Sequence, residues 1–441
     1  MVTEKRENYC ETLSRMIRKE TVSRYEETDH SKFEEFRDML EELFPKLFEV
    51  CEKHRFQNGI ALLWKGDDPG REPVLFMNHH DVVEATGEWK YAPFSGICAE
   101  GKLWGRGTLD DKGGLWAMLQ AGEELAEEGF SPSGDIWFIS TSTEETTGEG
   151  AAEIAEWFRE KGIHFKMSFD EGGMILDDPI SGVKGTFAMI GVGEKGSSDL
   201  KFIARSNGGH ASTPEKNTPL VRLGKFMAAV DRGTLFQVQL SPTIAEMFRR
   251  FAPYMGKLGL ILGKPEKSAA LIKQIVPRLS GTAAALFRTT IAFTMAQGSE
   301  GLNVIPQEAW VTGNVRYSHH QGQEGSLDAL RKLAKKFDIE MEIISPGMTS
   351  RLSDYKGDAF RLAEDAVREA FPNVEPVPYI MTGASDSRFF DSVSEQCIRF
   401  VPFWINDQQL GSVHGINENV NIDTLEPAVC YYRYLITEVQ R

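Results

Sequence analysis

The chain has 441 residues, with 65 acidic against 49 basic side chains, a formal net charge of −16 and a hydrophobic fraction of 41%. That length implies two domains or three, and the composition is that of an ordinary soluble globular protein with ample core. The acidic balance excludes a general nucleic-acid or anionic-membrane binder, because phosphate contacts need clustered lysine and arginine.

The first twenty residues, "MVTEKRENYCETLSRMIRKE", contain no apolar h-region, so no secretory signal is expected. The most apolar later stretch, "LSGTAAALFRTTIAFTM", is interrupted by Arg288 and is too short to span a bilayer comfortably, so no membrane association is expected. The five cysteines, Cys10, Cys51, Cys98, Cys397 and Cys430, are scattered and odd in number. They read as reduced thiols, neither a disulfide frame nor a thiolate zinc site, which points to the cytoplasm.

In chain order, "SKFEEFRDMLEELFPKLFEV" opens with Ser31 and Glu34 at capping-box spacing and continues at helical period through Phe33, Phe36, Leu40, Leu43 and Leu47. "GIALLWK" and "PVLFMNH" read as strands. Helix-like "GGLWAMLQAGEELAEEG", strand-like "GDIWFISTS", helix-like "GAAEIAEWFREKG" and strand-like "FKMSFD" then alternate, as in an α/β sheet with helices on its faces. From residue 193 the pattern changes. "SDLKFIARS", "TTIAFTMAQ", "EAWVTGNVRY" and "IEMEIIS" read as four strands, with helices near 216–231 and 325–337 between them and a helical insertion at about 240–286. After 347 helix and strand alternate again. The simplest organisation is a discontinuous α/β domain, 1–192 with 347–441, interrupted by an inserted α+β domain over 193–346.

Polar clusters sit at strand ends or in the loops that follow: "NHHD" (78–81), "GRGTLDDKGG" (105–114), "STEETTGEG" (142–150), "SFDEGG" (168–173) and "SVHGINEN" (412–419). Loops beyond the carboxyl ends of strands in an open α/β sheet converge on one crevice. Carboxylates gathered there repel unless cations neutralise them, and imidazole with carboxylate oxygen suits zinc, cobalt or manganese. Residues two apart on a strand share a face, so His79 and Asp81 point the same way and His80 points away. His79 is then free to bind metal while Asp81 accepts its second ring N–H. His80 reads as structural. Adjacent Glu144 and Glu145 leave the backbone on opposite sides, one toward metal and one toward substrate.

"HHD", "GRGTLDD", "EE", "FDEGG", "GGHAS", "NVIP", "GNVRY", "GASDSR" and "VHGINE" occur in an order that resembles the M20 family of dinuclear metallopeptidases and aminoacylases, from about residue 30 onward. The tail and the long insertion look closest to the carboxypeptidase S and N-acyl amino acid hydrolase branch. The resemblance implies a zinc-exopeptidase-like catalytic domain, a central mixed sheet with helices on both faces, interrupted by a ferredoxin-like lid and dimerisation domain. It implies two divalent ions, zinc first with cobalt or manganese as alternatives. Asp110 bridges them, Glu145 and His414 complete one site, and His79 and Asp170 the other, with Glu171 as the alternative to Asp170. It further implies a cis peptide between Asp110 and Asp111, and Glu144 as general base for a hydroxide held between the ions. His210 stabilises the oxyanion across a homodimer. Asn303, Arg316 and Arg388 contact substrate, Arg388 pairing with a terminal carboxylate.

The expected reaction is hydrolysis of an amide bond next to a free carboxylate, in a small peptide or an N-acyl amino acid. The apolar insertion is a candidate lining for a fatty acyl chain. "SHH" at 318–320 reads as a solvated turn and "EELAEEG" as a solvated helix face.

Overall fold

The computed structural model describes residues 2–257, 259–275 and 284–440. It divides into two compact units. Unit 1 comprises Met1–Gly193, Arg351–Met381 and Ser385–Arg441, and unit 2 comprises Glu194–Ser350 and Thr382–Ala384.

Unit 1 is built on an eight-stranded sheet of β1 (Cys51–Phe56), β2 (Gly59–Trp64), β3 (Val74–His79), β6 (Ile136–Thr141), β7 (Met167–Asp177), β8 (Thr186–Glu194), β15 (Glu375–Met381) and β16 (Cys397–Ile405). The spatial order is β1-β2-β6-β3-β7-β16-β8-β15. The centre is parallel, β6 with β3, β3 with β7 and β7 with β16, while β1–β2 and β2–β6 are antiparallel. A small second sheet has the spatial order β17 (Asn419–Asn421), β5 (Lys102–Trp104) and β4 (Ile97–Ala99).

The period-two rule shows why both faces of the large sheet must be covered. Ile60, Leu62, Trp64, Val74, Phe76, Ile136 and Phe138 belong to one core, and the intervening Ala61, Leu63, Leu75, Met77, Trp137 and Ile139 belong to another. Every residue of β2, β3 and β6 is buried, as expected where helices cover both sides of a sheet. The first core also takes side chains from α1 (Val2–Arg18), α2 (Ser31–Leu43), α3 (Pro45–Val50), α4 (Lys112–Glu127), α11 (Asp358–Ala370) and α13 (Leu425–Glu438). The second takes them from α5 (Glu149–Lys161). Phe76 stacks between Phe138 and Phe169, with ring centroids 5.7 and 5.2 Å away.

Unit 2 holds a four-stranded antiparallel sheet in the order β11 (Thr290–Gln297), β13 (Glu308–Tyr317), β9 (Gly196–Arg205) and β14 (Glu340–Ser345). α6 (Pro219–Asp231) and α10 (Gly322–Lys336) contribute Leu223, Phe226, Leu327 and Leu330 to a core with Leu200, Phe202, Val311 and Val315. The strict buried alternation of β13 marks a sheet covered on one face. A two-residue ribbon pairs β10 (Gly209–His210) with β12 (Val304–Ile305). The insertion contains α7 (Pro242–Phe251), α8 (Gly259–Leu262) and α9 (Pro265–Ile275); its expected remainder over 276–283 lies outside the described residues. The last short helix, α12 (Asp407–Leu410) of unit 1, carries a true capping box between Asn406 and Gln409. No helix among the described residues is long and apolar enough to cross a membrane.

Two sequence expectations are corrected. Cys10 of α1 and Cys98 of β4 form a disulfide, so only Cys51, Cys397 and Cys430 are free thiols. The two partners are 88 residues apart; α1 is held beside this loop by hydrogen bonds from Ser14 to the Gly96 carbonyl and from Arg18 Nε to the Ser95 carbonyl, a juxtaposition that spacing does not reveal. The capping box at Ser31 is also absent. His30 occupies the N-cap without a side-chain capping bond, and the Ser31 N–H donates to Asp29 Oδ1 instead. Pro45 then starts a new helix, so the helical period read through Leu47 belongs to two helices.

Candidate metal centre

β3 and β6 run parallel and end side by side, His79 opposite Thr141. The chain leaving β3 carries Asp81, and the turn leaving β6 carries Glu144 and Glu145. Asp81 is fully buried, and its carboxylate accepts the backbone N–H groups of Glu144 (3.2 Å) and Glu145 (3.1 Å). Ser23 Oγ donates to it at 2.7 Å, from a segment that pairs with the chain at Val82. His79 Nδ1 lies 3.0 Å from the Asp81 main-chain carbonyl and 3.4 Å from its carboxylate. The ring thus meets both the carbonyl and, at longer distance, the carboxylate of Asp81, and that carboxylate also holds the turn bearing the two glutamates.

Four of the five expected ligands converge. His79 Nε2 is 3.0 Å from Asp110 Oδ1, while His414 Nε2 is 3.0 Å from both Asp110 Oδ2 and Glu145 Oε2. Ligand atoms of His79, Asp110 and Glu145 lie within 4.8 Å of one another. The Asp110–Asp111 peptide is cis. Asp170 is not in that group among the described residues: it sits buried on β7 and accepts the Ser387 N–H at 2.8 Å. Its neighbour Glu171 feels the charges of Asp170, Asp110 and Glu144. His80 packs as a structural residue, stacked on Phe36 with centroids 5.1 Å apart and Nδ1 2.8 Å from Ser140 Oγ.

The electrostatics follow from crowding acidic groups in a dry place. Burial pushes Glu144 and Glu171 well above the usual carboxylate range, and neighbouring carboxylates add to the effect. Burial also raises Glu145, Asp170 and Asp386, the last to about 7. Hydrogen bonds with Asp110 and Glu145 push His414 up to about 10. His79 is raised well above its ordinary value: burial opposes the shift, and bonds to Asp110 and Asp81 overcome it. Asp110 is held low by the two imidazoles against the opposing effect of burial. These carboxylates thus seek positive charge, and the donor set around Asp110 is imidazole nitrogen and carboxylate oxygen, which fits a divalent cation of the zinc type.

Arg388 follows Asp386 by two positions. Its Nη1 donates to the Ser385 carbonyl at 3.1 Å, its guanidinium lies 4.9 Å from the Phe389 ring centroid, and its charge acts on Asp386. Asp386 is a residue the sequence reading passed over. It accepts a hydrogen bond from Thr141 at the end of β6 and influences Glu144. Its signal was a carboxylate inside "GASDSR", beside the arginine already singled out. Ser23 had no signal, being 58 residues from its partner Asp81.

The remaining expected residues belong to unit 2. His210 is exposed on β10, and its Nδ1 accepts the Ser212 N–H at 3.1 Å, which leaves Nε2 as the nitrogen able to donate. Asn303 is exposed beside it in the ribbon, its carbonyl accepting the Ala211 N–H at 2.9 Å. Arg316 lies on β13, with Nε donating to Asn314 Oδ1 at 3.1 Å.

Residues 75–438 match the model of peptidase family M20/M25/M40. The N-fatty-acyl-amino acid synthase/hydrolase PM20D1 of Homo sapiens is 30% identical over 93% of this chain and 83% of its own. Among solved structures, the M20 family metallo-carboxypeptidase Sso-CP2 from Sulfolobus solfataricus superposes with a TM-score of 0.71 at 17% identity, covering 97% of this chain and 98% of that one. Bacillus subtilis YXEP, a dinuclear metal binding peptidase from M20 family, superposes with a TM-score of 0.59 at 14% identity, over 98% of each chain. The chain belongs to peptidase family M20/M25/M40.

Proposed function

We propose that the protein hydrolyses an amide bond adjacent to a free carboxylate, and that Asp110, Glu145, His414, His79 and Asp170 would hold the two divalent ions this chemistry uses. Metal-dependent amide hydrolysis is the chemistry of the family to which the chain belongs. The observation that carries the reading is the convergence of His79 and His414 on the two oxygens of one half-buried aspartate, Asp110. Divalent ions bound there would supply Lewis acidity to the scissile carbonyl and to an attacking water.

This chain's own residues supply the rest. Glu144, half-buried and pushed toward the protonated form by desolvation, takes a proton from the attacking water and delivers it to the departing amine. Asp81 keeps Glu144 and Glu145 in place through their N–H groups. Arg388 offers a guanidinium fork to the substrate carboxylate. His210 donates from Nε2 to the developing oxyanion, from a second copy of the chain, and Asn303 and Arg316 orient substrate. Mixing Glu144→Gln with His210→Ala protein tests the homodimer: recovered activity supports transfer of His210 between subunits, and a fully active monomer in sedimentation defeats it.

Peptides with a free C-terminus are the first substrate reading. N-fatty-acyl amino acids are the second, favoured by the similarity to PM20D1 and by the apolar helices of 242–275. After metal reconstitution, comparing turnover of N-oleoyl-phenylalanine with simple dipeptides decides between them. Inactivity on both removes the function. Zinc is the proposed metal, checked by metal analysis of purified protein, and Asp170→Asn against Glu171→Gln identifies the fifth ligand by which one halves the metal content. A cytoplasmic location is proposed from the three free, scattered thiols; the Cys10–Cys98 disulfide weighs against it. Rapid alkylation of those two thiols in fresh lysate decides.

A further inference from the structure

Arg106 and Glu418 form an ion pair, Nη1 to Oε2 at 2.6 Å, in a place where they are 1% and 0% exposed. Removing two charges from water is costly, and a buried pair seldom stabilises a fold by itself. The hydrogen bonds around it supply a reason for its presence. Glu418 Oε2 also accepts the Gly107 N–H at 2.9 Å, and Oε1 accepts the Leu109 N–H at 2.8 Å and the Asp110 N–H at 3.2 Å. The main-chain carbonyl of Glu418 accepts the Gly105 N–H at 2.9 Å. Four main-chain donors of the segment 105–110, and the Arg106 side chain, therefore end on one residue. That segment lies between β5 and α4 in neither strand nor helix, so these bonds largely set its shape.

The other arm of Arg106 reaches back to the second loop, donating from Nη2 to the Gly415 carbonyl at 2.7 Å. The pair thus ties the loop that carries Asp110 to the loop that carries His414. Those two side chains meet 3.0 Å apart.

We propose that Glu418 is a positioning residue: by collecting the N–H groups of residues 107, 109 and 110 it sets where the Asp110 carboxylate stands relative to His414, and so sets the affinity of the centre for its cations. This rests on the metal reading above and adds a residue that touches neither cation nor substrate. Groups that orient ligands in this way alter metal affinity by roughly 10–100-fold when changed.

The test is a competition titration of metal-free full-length protein with zinc and a coloured chelator. Glu418→Gln replaces one acceptor oxygen with an NH₂ group facing N–H donors, and is expected to bind zinc roughly 10–100-fold more weakly, with kcat recovering in excess zinc and KM little changed. Glu123→Gln is the structural control, because Glu123 is also buried and also accepts two backbone N–H groups, those of Lys46 (3.1 Å) and Leu47 (2.7 Å), away from the centre. It is expected to bind zinc like wild type. Wild-type zinc affinity in Glu418→Gln, or an equal loss in Glu123→Gln, overturns the proposal. If Glu418→Gln does not fold, Glu418→Asp decides: it keeps the charge opposite Arg106 on a shorter arm, weakened zinc binding supports positioning, and unchanged binding overturns it. A wild-type protein that binds no zinc would instead remove the metal reading on which the inference stands.

Discussion

The two units place their polar residues under opposite conditions. In unit 1 the strands β2, β3 and β6 are buried along their whole length, and His79 and Asp81 at the end of β3 are 2% and 0% exposed, with Asp110, Glu144 and Glu145 half-buried and His414 exposed beside them. In unit 2 the sheet is covered on one face, β11 and β14 are largely exposed, and His210 and Asn303 stand in solvent. Buried carboxylates cost free energy until an opposite charge compensates them, whereas exposed groups cost almost nothing as they are. Unit 1 should therefore be tuned to its cations, and unit 2 should tolerate changes at its site residues without losing stability.

Metal removal should break this comparison most sharply. Chelation is expected to abolish hydrolysis and to remove the stabilisation that cations supply, about 4 kcal/mol where the ion stands a thousandfold above its Kd. Hydrogen exchange should rise at the amides of 107–111 and 144–145 and stay level in β9 and β13; a uniform rise would show that the units do not differ in this respect. Glu144→Gln comes next, with kcat expected to fall roughly 10²–10⁴-fold. Since burial already disfavours the Glu144 charge, thermal unfolding of the metal-free variant should be no lower than that of wild type. His210→Ala is expected to lower kcat roughly 10²–10³-fold with an unchanged unfolding midpoint, because the ring is exposed. A clear loss of stability would contradict the contrast between the units.

The smallest expected effect belongs to a buried cation in unit 2. Lys195 donates to the carbonyls of Ala285 (2.9 Å) and Arg288 (2.7 Å), and burial pushes it down to about 7, with Arg316 and Arg288 adding to the shift. Between about 7 and its ordinary value of 10.5 the unfolded chain holds a proton that the folded chain has released. Stability of unit 2 should accordingly rise with pH across that window. Lys195→Met should flatten the rise, as measured by urea midpoints at neutral pH and near pH 9.5. An unaltered slope would show that another group sets the pH dependence.

The α/β class and the mixed sheet with both faces covered were legible because apolar alternation and continuous apolar runs report burial directly. The gathering of acidic and imidazole groups from the strand-end clusters was legible from their residue types, which repel unless something binds them, whereas the choice of His79, Asp110, Glu145 and His414 among them came from the resemblance to the M20 family. Asp170 against Glu171 was not legible, since neighbours on a strand differ only in which way they face, and that depends on Ser385 and Ser387 arriving from more than two hundred positions later. The disulfide escaped for the same reason: Cys10 and Cys98 meet only because α1 packs beside β4.

The amino-acid order by itself determined the periodicities, the interruption of one α/β pattern by another, and the chemical types gathered at strand ends, because these depend on nearest neighbours and on the repeat of each element. Only the tertiary structure decided which oxygen faces which imidazole, that Asp81 serves the backbone of two glutamates, and that Glu418 gathers the loop carrying Asp110. Those relations join segments that the chain separates by tens or hundreds of residues, and packing alone brings them within hydrogen-bonding distance.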